Sequence, residues 1–189
     1  MKVFIGCSAE VMIDKKYIDL AYHVSRMFYN RKYDLIYGAA SFSMMGKCYD
    51  VFADDLFNSA NNIYAYTVKK YEDDIENLDK AKCFIEEDCF TRTGNMYKLA
   101  DIILILPGGL GSLAEFAICL EQLRTFEDNK KIILFNQDGY YDKLLEWYSD
   151  GVEKKFIKPT MTEYFTVVND IESLLLETAK FEEKLRSEE

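Results

Sequence analysis

Ile102-Ile103-Leu104-Ile105-Leu106 is an uninterrupted apolar run, entered through Asp101 and closed by Pro107. Successive side chains of a strand point to opposite faces, so a run without polar alternation must be covered on both. Shorter runs of the same kind recur at Val3–Cys7, Asp34–Tyr37, Ile63–Val68, Cys83–Glu87, Lys131–Phe135 and Phe165–Val168. Between them lie stretches with helical periodicity. Lys15–Asn30 puts Tyr17, Leu20, Ala21, Val24, Met27 and Phe28 on one stripe, with His23 off it and on the surface. Further helices are expected from Met44 to Asn58, from near Thr91, after Gly111, from Tyr140 to Ser149, and after a capping Asp170. Lys69–Lys82 is polar and shows no clear period. Strand–helix units of this size predict an α/β fold, a parallel sheet with helices on both faces. The 189 residues fit a single domain over 1–189, with Glu182–Glu189 expected to fray as a helix end.

Composition narrows the partners. A formal net charge of −10 without a compensating Lys/Arg cluster argues against nucleic acid and anionic membrane. No apolar run approaches the roughly 20 residues of a membrane span, and no signal-peptide pattern opens the chain, so a cytoplasmic protein is expected. The cysteines Cys7, Cys48, Cys83, Cys89 and Cys119 are scattered, which predicts buried free thiols. With one histidine and no Cys-x-x-Cys pair, no metal site is expected.

Ligands of open parallel sheets bind beyond the carboxyl ends of the strands. The loops after Cys7, Tyr37 and Leu106 lie there. The last carries Gly108, Gly109 and Gly111 between a buried strand and a helix. Glycines allow positive φ and close backbone approach, and the first N–H groups of a helix lack intrahelical partners. Together with the helix dipole these make an anion site suited to a phosphate. The spacing matches neither Gly-x-Gly-x-x-Gly nor the P-loop. Ser112-Leu113-Ala114-Glu115 also reads as a capping box, in which Ser112 is only an N-cap and Glu115 only its partner. Local sequence leaves both readings open.

Pro107-Gly108-Gly109-Leu110-Gly111-Ser112-Leu113-Ala114-Glu115 resembles the Pro-Gly-Gly-x-Gly-Thr-x-x-Glu signature of the Lonely Guy (LOG) family, long labelled lysine decarboxylases. Asp88, Arg92 and Met96 fall in register with that family's Asp-Met-x-x-Arg-Lys-x-x-Met segment. Phe4–Ser8 resembles its opening strand and turn, and Asp138–Leu145 its Gly-Tyr-Tyr segment. Gly38–Gly46 resembles a Gly-Gly-Gly-x-x-Gly-Leu-Met-Gly loop in which Ala39, Ala40 and Ser43 replace glycines. Thr93 replaces the lysine after Arg92, and Ser112 the signature threonine.

The resemblance implies a Rossmann-like, doubly wound sheet and a homodimer with its site near the subunit interface. It implies hydrolysis of the N-glycosidic bond of an AMP-like nucleoside 5′-monophosphate, with Arg92 and Glu115 catalytic and no cofactor. Ser8, Gly38, Asp88, Met96, Gly108, Gly109, Gly111 and Ser112 would bind the substrate. Asp88 would touch ribose or orient Arg92, although an Asp88–Arg92 ion pair of purely structural meaning reads equally from the i,i+4 spacing. The alternative is a non-catalytic nucleotide or cofactor carrier on the same fold. Amino-acid decarboxylation normally needs a Schiff-base lysine, and neither the glycine-rich signature nor Asp88–Met96 contains one.

Overall fold

The computed structural model describes residues 1–54, 61–75 and 77–188. Its seven strands are β1 Lys2–Gly6, β2 Asp34–Tyr37, β3 Ile63–Val68, β4 Lys82–Glu86, β5 Ile102–Ile105, β6 Lys131–Phe135 and β7 Phe165–Val168. All neighbours pair in parallel, in the order β4-β3-β2-β1-β5-β6-β7. The helices are α1 Lys15–Asn30, α2 Ser43–Phe52, α3 Cys89–Leu99, α4 Leu110–Phe126, α5 Asp142–Glu153 and α6 Ile171–Glu188. The fold is the Rossmann-like α/β arrangement expected.

Strand side chains alternate between two cores. Val3, Ile5, Leu35, Leu104 and Ile133 face α1, α2 and α6, while Phe4, Ile36, Ile103, Ile105 and Ile132 face α3, α4 and α5. The chain winds outward from β1 to β4, then crosses back to β5 on the other side of β1. The strand order therefore reverses at β1, and the carboxyl ends of β1 and β5 form the switch point at which such sheets bind ligands.

Several boundaries differ from the sequence reading. α2 stops at Phe52, six residues short of Asn58; of the expected remainder, residues 55–58 lie outside the described residues. α3 begins at Cys89, because the Asp88 carboxylate accepts from the N–H groups of Phe90 and Thr91. α5 begins at Asp142 because Tyr140 and Tyr141 are committed to other contacts, and it runs on to Glu153. The polar stretch after β3 forms 3-10 turns over Lys69–Ile75, kinked at Tyr71. α6 is capped by Asp170, which accepts from Ser173 N–H at 2.7 Å. It does not fray from Glu182: that carboxylate accepts from Tyr33 Oη at 2.6 Å and Arg31 Nη2 at 2.5 Å. His23 is exposed. Cys7, Cys48 and Cys119 are buried, whereas Cys83 and Cys89 are exposed, so burial of the thiols holds for three of the five. Among the described residues no helix is long and apolar enough to cross a membrane.

Gly46 is a position where side-chain size is forbidden. A Cβ there would stand 2.5 Å from the backbone C and O of Ser41. Gly46→Ala must push the loop after β2 away from α2, and urea unfolding should show a loss of about 1–3 kcal/mol.

Candidate active site

The strand ends collect residues that are far apart in sequence. Gly6 closes β1 and pairs in register with Ile105. A Cβ on Gly6 would lie 2.8 Å from Glu115 Oε2 and 2.8 Å from the Ile105 methyl. Its missing side chain is the space in which the Glu115 carboxylate rests. Arg92, projecting from α3, donates from Nη2 to Glu115 Oε1 at 2.8 Å. Its Nη1 lies 3.9 Å from where a Gly38 Cβ would stand, and Met45 packs against the same point. The ends of β1 and β2 and the helices α3 and α4 thus meet at one ion pair.

That pair is enclosed. The Glu115 side chain is 3% exposed and that of Arg92 14%. Burial pushes the Glu115 carboxyl up to about 7, with the Arg92 charge pulling the other way. Glu115 Oε2 and Arg92 Nε are buried without a partner among the described residues. Each is a position where an unmet polar group costs about 1–3 kcal/mol.

Beside the pair, β5 ends and the chain passes through Pro107 into the glycine loop. A Cβ on Gly108 would stand 2.1 Å from Ser112 Oγ and 3.4 Å from Ser8 N, so Ser8, Gly108 and Ser112 form one tight contact. None of Gly108, Gly109 and Gly111 adopts the positive φ anticipated from sequence; in the described residues only Gly139 among the glycines does. Cβ atoms on Gly109 and Gly111 would meet nothing within 4 Å. Their role here is exposure of bare backbone rather than an unusual turn.

Gly109 is the N-cap of α4. The first intrahelical N–H is that of Leu113, which reaches Gly109 O at 3.0 Å. The N–H groups of Leu110, Gly111 and Ser112 belong to the first turn, where the helix supplies no acceptor. Two tyrosines hold this loop from behind. Tyr140 Oη donates to Gly108 O at 2.8 Å and Tyr141 Oη to Leu106 O at 2.7 Å. Because a trans peptide sets C=O and N–H in opposite directions, the Tyr140 contact turns the Gly109 N–H away from Tyr140. Asn136 fixes the tyrosines by accepting from Tyr141 N–H at 2.6 Å.

These positions overturn the capping-box reading. With Gly109 as the cap, Ser112 is the third helical residue and Glu115 lies in the second turn, turned toward β1. The Asp88–Arg92 ion pair is not formed either. The Asp88 carboxylate bonds Phe90 N–H, Thr91 N–H and Thr91 Oγ1, while the guanidinium goes to Glu115. Met96 lies fully buried in the core beneath α3. Gly6, Met45, Tyr140 and Tyr141 acquire supporting roles that spacing did not assign. A strand-terminal glycine and a Tyr-Tyr pair after the next strand were the available signals.

Ala39 and Ser43 stand at φ 61° and 56°, in the left-handed region that glycine occupies freely. Both replace glycines of the family loop, so the backbone conformation persists after the residue suited to it is lost. Ser43 offsets part of the strain by donating to Glu10 O at 2.6 Å. Ala40, the third replacement, has no such backbone.

Removing the cation isolates its effect on the carboxyl. In Arg92→Met, a ¹³C-detected titration of Glu115 should move above the value of about 7 expected for the parent chain. A downward move would mean that Arg92 does not stabilise the carboxylate. The folded chain retains a proton that the unfolded carboxyl, at its ordinary 4.5, releases. Stability from this group is therefore full below about 4.5 and falls as pH rises towards 7.

A family model described as "Possible lysine decarboxylase" matches residues 57–178. Cytokinin riboside 5′-monophosphate phosphoribohydrolase LOG1 of Arabidopsis thaliana is 30% identical over 161 residues, covering 84% of this chain and 72% of its own. LOG3 of the same plant is 28% identical over 162 residues, with 86% and 74% covered. Among solved structures, the molybdenum cofactor carrier protein of Chlamydomonas reinhardtii superposes with a TM-score of 0.68 at 11% identity, over 96% of this chain and 98% of that one. The molybdenum cofactor binding protein of Rippkaea orientalis gives 0.66 at 14% identity, over 95% of each. These superpositions share the fold. The sequence matches, together with the glycine loop and the Arg92–Glu115 pair, show that the chain belongs to the LOG family.

Proposed function

We propose that this protein hydrolyses the N-glycosidic bond of a free nucleoside 5′-monophosphate of the AMP type, releasing the base and ribose 5-phosphate. The observation that carries the reading is the buried Arg92–Glu115 pair with Glu115 Oε2 and Arg92 Nε unmet, beside a helix N-terminus suited to phosphate. The relatives named as phosphoribohydrolases support it.

The chemistry follows from the geometry. The 5′-phosphate is bound by the first-turn N–H groups of α4 and by Ser112, so a net charge of −10 does not prevent binding. Gly108 and Ser8 complete this end, and Gly38, with Met45 packed against it, lies beside Arg92. As the C1′–N bond breaks, its electron pair leaves with the base and positive charge grows on the ribose ring. The Glu115 carboxylate stabilises that charge and takes a proton from the attacking water, whose oxygen bonds to C1′. The departing base nitrogen takes up a proton from solvent and Glu115 later releases the one it took, so that one water is consumed per bond cleaved. Phosphate binding supplies energy away from the reacting bond. In this reading Asp88 acts by starting α3 and so placing Arg92. No cofactor takes part in this route, and the working unit is a homodimer.

Glu115→Gln preserves size and loses the base. Incubation with a panel of nucleoside monophosphates, followed by chromatography for free base, should show turnover down by about 10²–10⁴-fold with the fold intact. Unchanged turnover would sink the assignment. Binding of a nucleotide without release of base by the parent chain would favour the non-catalytic carrier. Since the carboxyl must be ionised to act as a base, kcat/KM should rise with pH through about 7. A fall through the same range would instead make Glu115 the acid that protonates the leaving base.

A further inference from the structure

Tyr140 and Tyr141 both donate to carbonyls of the loop after β5, yet their surroundings differ. Tyr141 is 6% exposed, and burial pushes its phenol well above the usual tyrosine range. Its hydroxyl meets the carbonyl of Leu106, itself wholly buried, so the bond satisfies a group that water does not reach. Tyr140 is 45% exposed, and the Gly108 carbonyl that it meets belongs to a partly exposed residue. Water replaces either partner there at little cost, so this bond adds little to folding.

The Tyr140 ring is nevertheless held on two sides. It meets the Tyr141 ring edge-on, with centroids 4.9 Å apart at 89°, and the Tyr17 ring at 5.8 Å and 71°. Tyr17 stands in the first turn of α1, next to Lys16, whose ammonium reaches Asp138 Oδ2 at 2.8 Å. The start of α1 and the turn after β6 are thus tied together beside this ring. The turn itself is strained. Asp138 stands at φ 54°, in the left-handed region, and Gly139 follows at φ 72°, where a Cβ would collide with the Asp142 carboxylate. Strained backbone persists where the surroundings enforce it, and it clusters at functional sites.

The carbonyl that Tyr140 holds lies in a peptide with glycine at each end, Gly108 and Gly109. Without a Cβ on either side, such a peptide turns over easily, exchanging the directions of its C=O and N–H. The Gly109 N–H meets no backbone acceptor among the described residues. We propose that Tyr140 is a positioning residue for the 5′-phosphate: its hydroxyl holds the Gly108 carbonyl and so presents the Gly109 N–H to the phosphate, beside the first-turn N–H groups of α4. With the peptide turned over, a carbonyl oxygen would take that place and repel the anion. Tyr140 itself touches neither the ligand nor the reacting atoms. The inference deepens the proposed function and rests on its placement of phosphate at α4, not on hydrolysis.

Tyr140→Phe removes the hydroxyl and keeps the ring. Isothermal titration of the full chain with ribose 5-phosphate and with adenosine separates the phosphate end of the ligand from the rest. Ribose 5-phosphate should bind the variant about tenfold more weakly or worse, with adenosine binding as it does to the parent. In ¹H–¹⁵N spectra, inorganic phosphate should shift the Gly109 amide in the parent and leave it nearly unmoved in the variant. KM for AMP should rise by a similar factor, with kcat changing far less. The urea midpoint should stay near the parent's, in contrast to Tyr141→Phe, which loses a buried bond. Ribose 5-phosphate affinity within twofold of the parent, an equal weakening for adenosine, a Gly109 amide that shifts alike in both proteins, or a fall in stability equal to that of Tyr141→Phe would each overturn the inference. Binding of AMP by the parent without base release would end the hydrolase reading and leave this one standing. A parent that binds neither ribose 5-phosphate nor inorganic phosphate would overturn the phosphate site, and this inference with it.

Discussion

Burying the Glu115 carboxylate against the end of β1 is the constraint around which the strand ends are arranged. Withdrawing a carboxylate from water costs several kcal/mol, and an ion pair in such a place is weak evidence of stabilisation. The surroundings are nevertheless organised for it. Gly6 is reduced to bare backbone to make room, and Arg92 supplies one hydrogen bond and an opposing charge. Even so, one carboxylate oxygen and the Arg92 Nε remain unmet. A pair optimised only to hold the fold together would satisfy both. The unmet atoms are what a ligand hydroxyl or water can use.

The proposed phosphate end is built on a different principle. It uses no basic cluster, because the first turn of α4 provides N–H groups and a partial positive charge without a side-chain cation. An acidic chain can then hold a small anion while repelling polyanions. The cost lies in keeping a glycine-rich loop in one conformation, since glycine loses the most freedom on folding. Tyr140 and Tyr141 meet that cost by fixing the Gly108 and Leu106 carbonyls. The loop after β2 solves a similar problem less comfortably. Ala39 and Ser43 retain left-handed backbone at about 1–2 kcal/mol each. The surrounding packing, in which Ala39 is wholly buried, enforces the shape.

Much of this was legible in advance. Unbroken apolar strands separated by helical stripes implied a parallel sheet covered on both faces, and the structure has it. The local readings that did not hold share a physical source. Ser112-Leu113-Ala114-Glu115 has the spacing of a capping box, yet Gly109 took the cap position and carried Glu115 a turn deeper. Asp88 and Arg92 have the spacing of a helical ion pair, but Asp88 stands at the helix start, where free N–H groups compete for its carboxylate. Each local pairing lost to a partner that sequence spacing does not show. The same holds for Glu182, which looked like part of a fraying end and is held by Arg31 and Tyr33.

The sequence by itself determined the alternation of strands and helices, the two-sided core and the presence of bare backbone between β5 and α4. Periodicity and glycine content act over a few residues, and their consequences are local. Only the tertiary structure decided that Glu115 faces Gly6 and Arg92 rather than its own helix end. It also decided that Tyr140 and Tyr141 grip the loop. Those outcomes depend on which strand ends the winding brings together, and on which buried groups find partners there. A spacing rule carries no term for either.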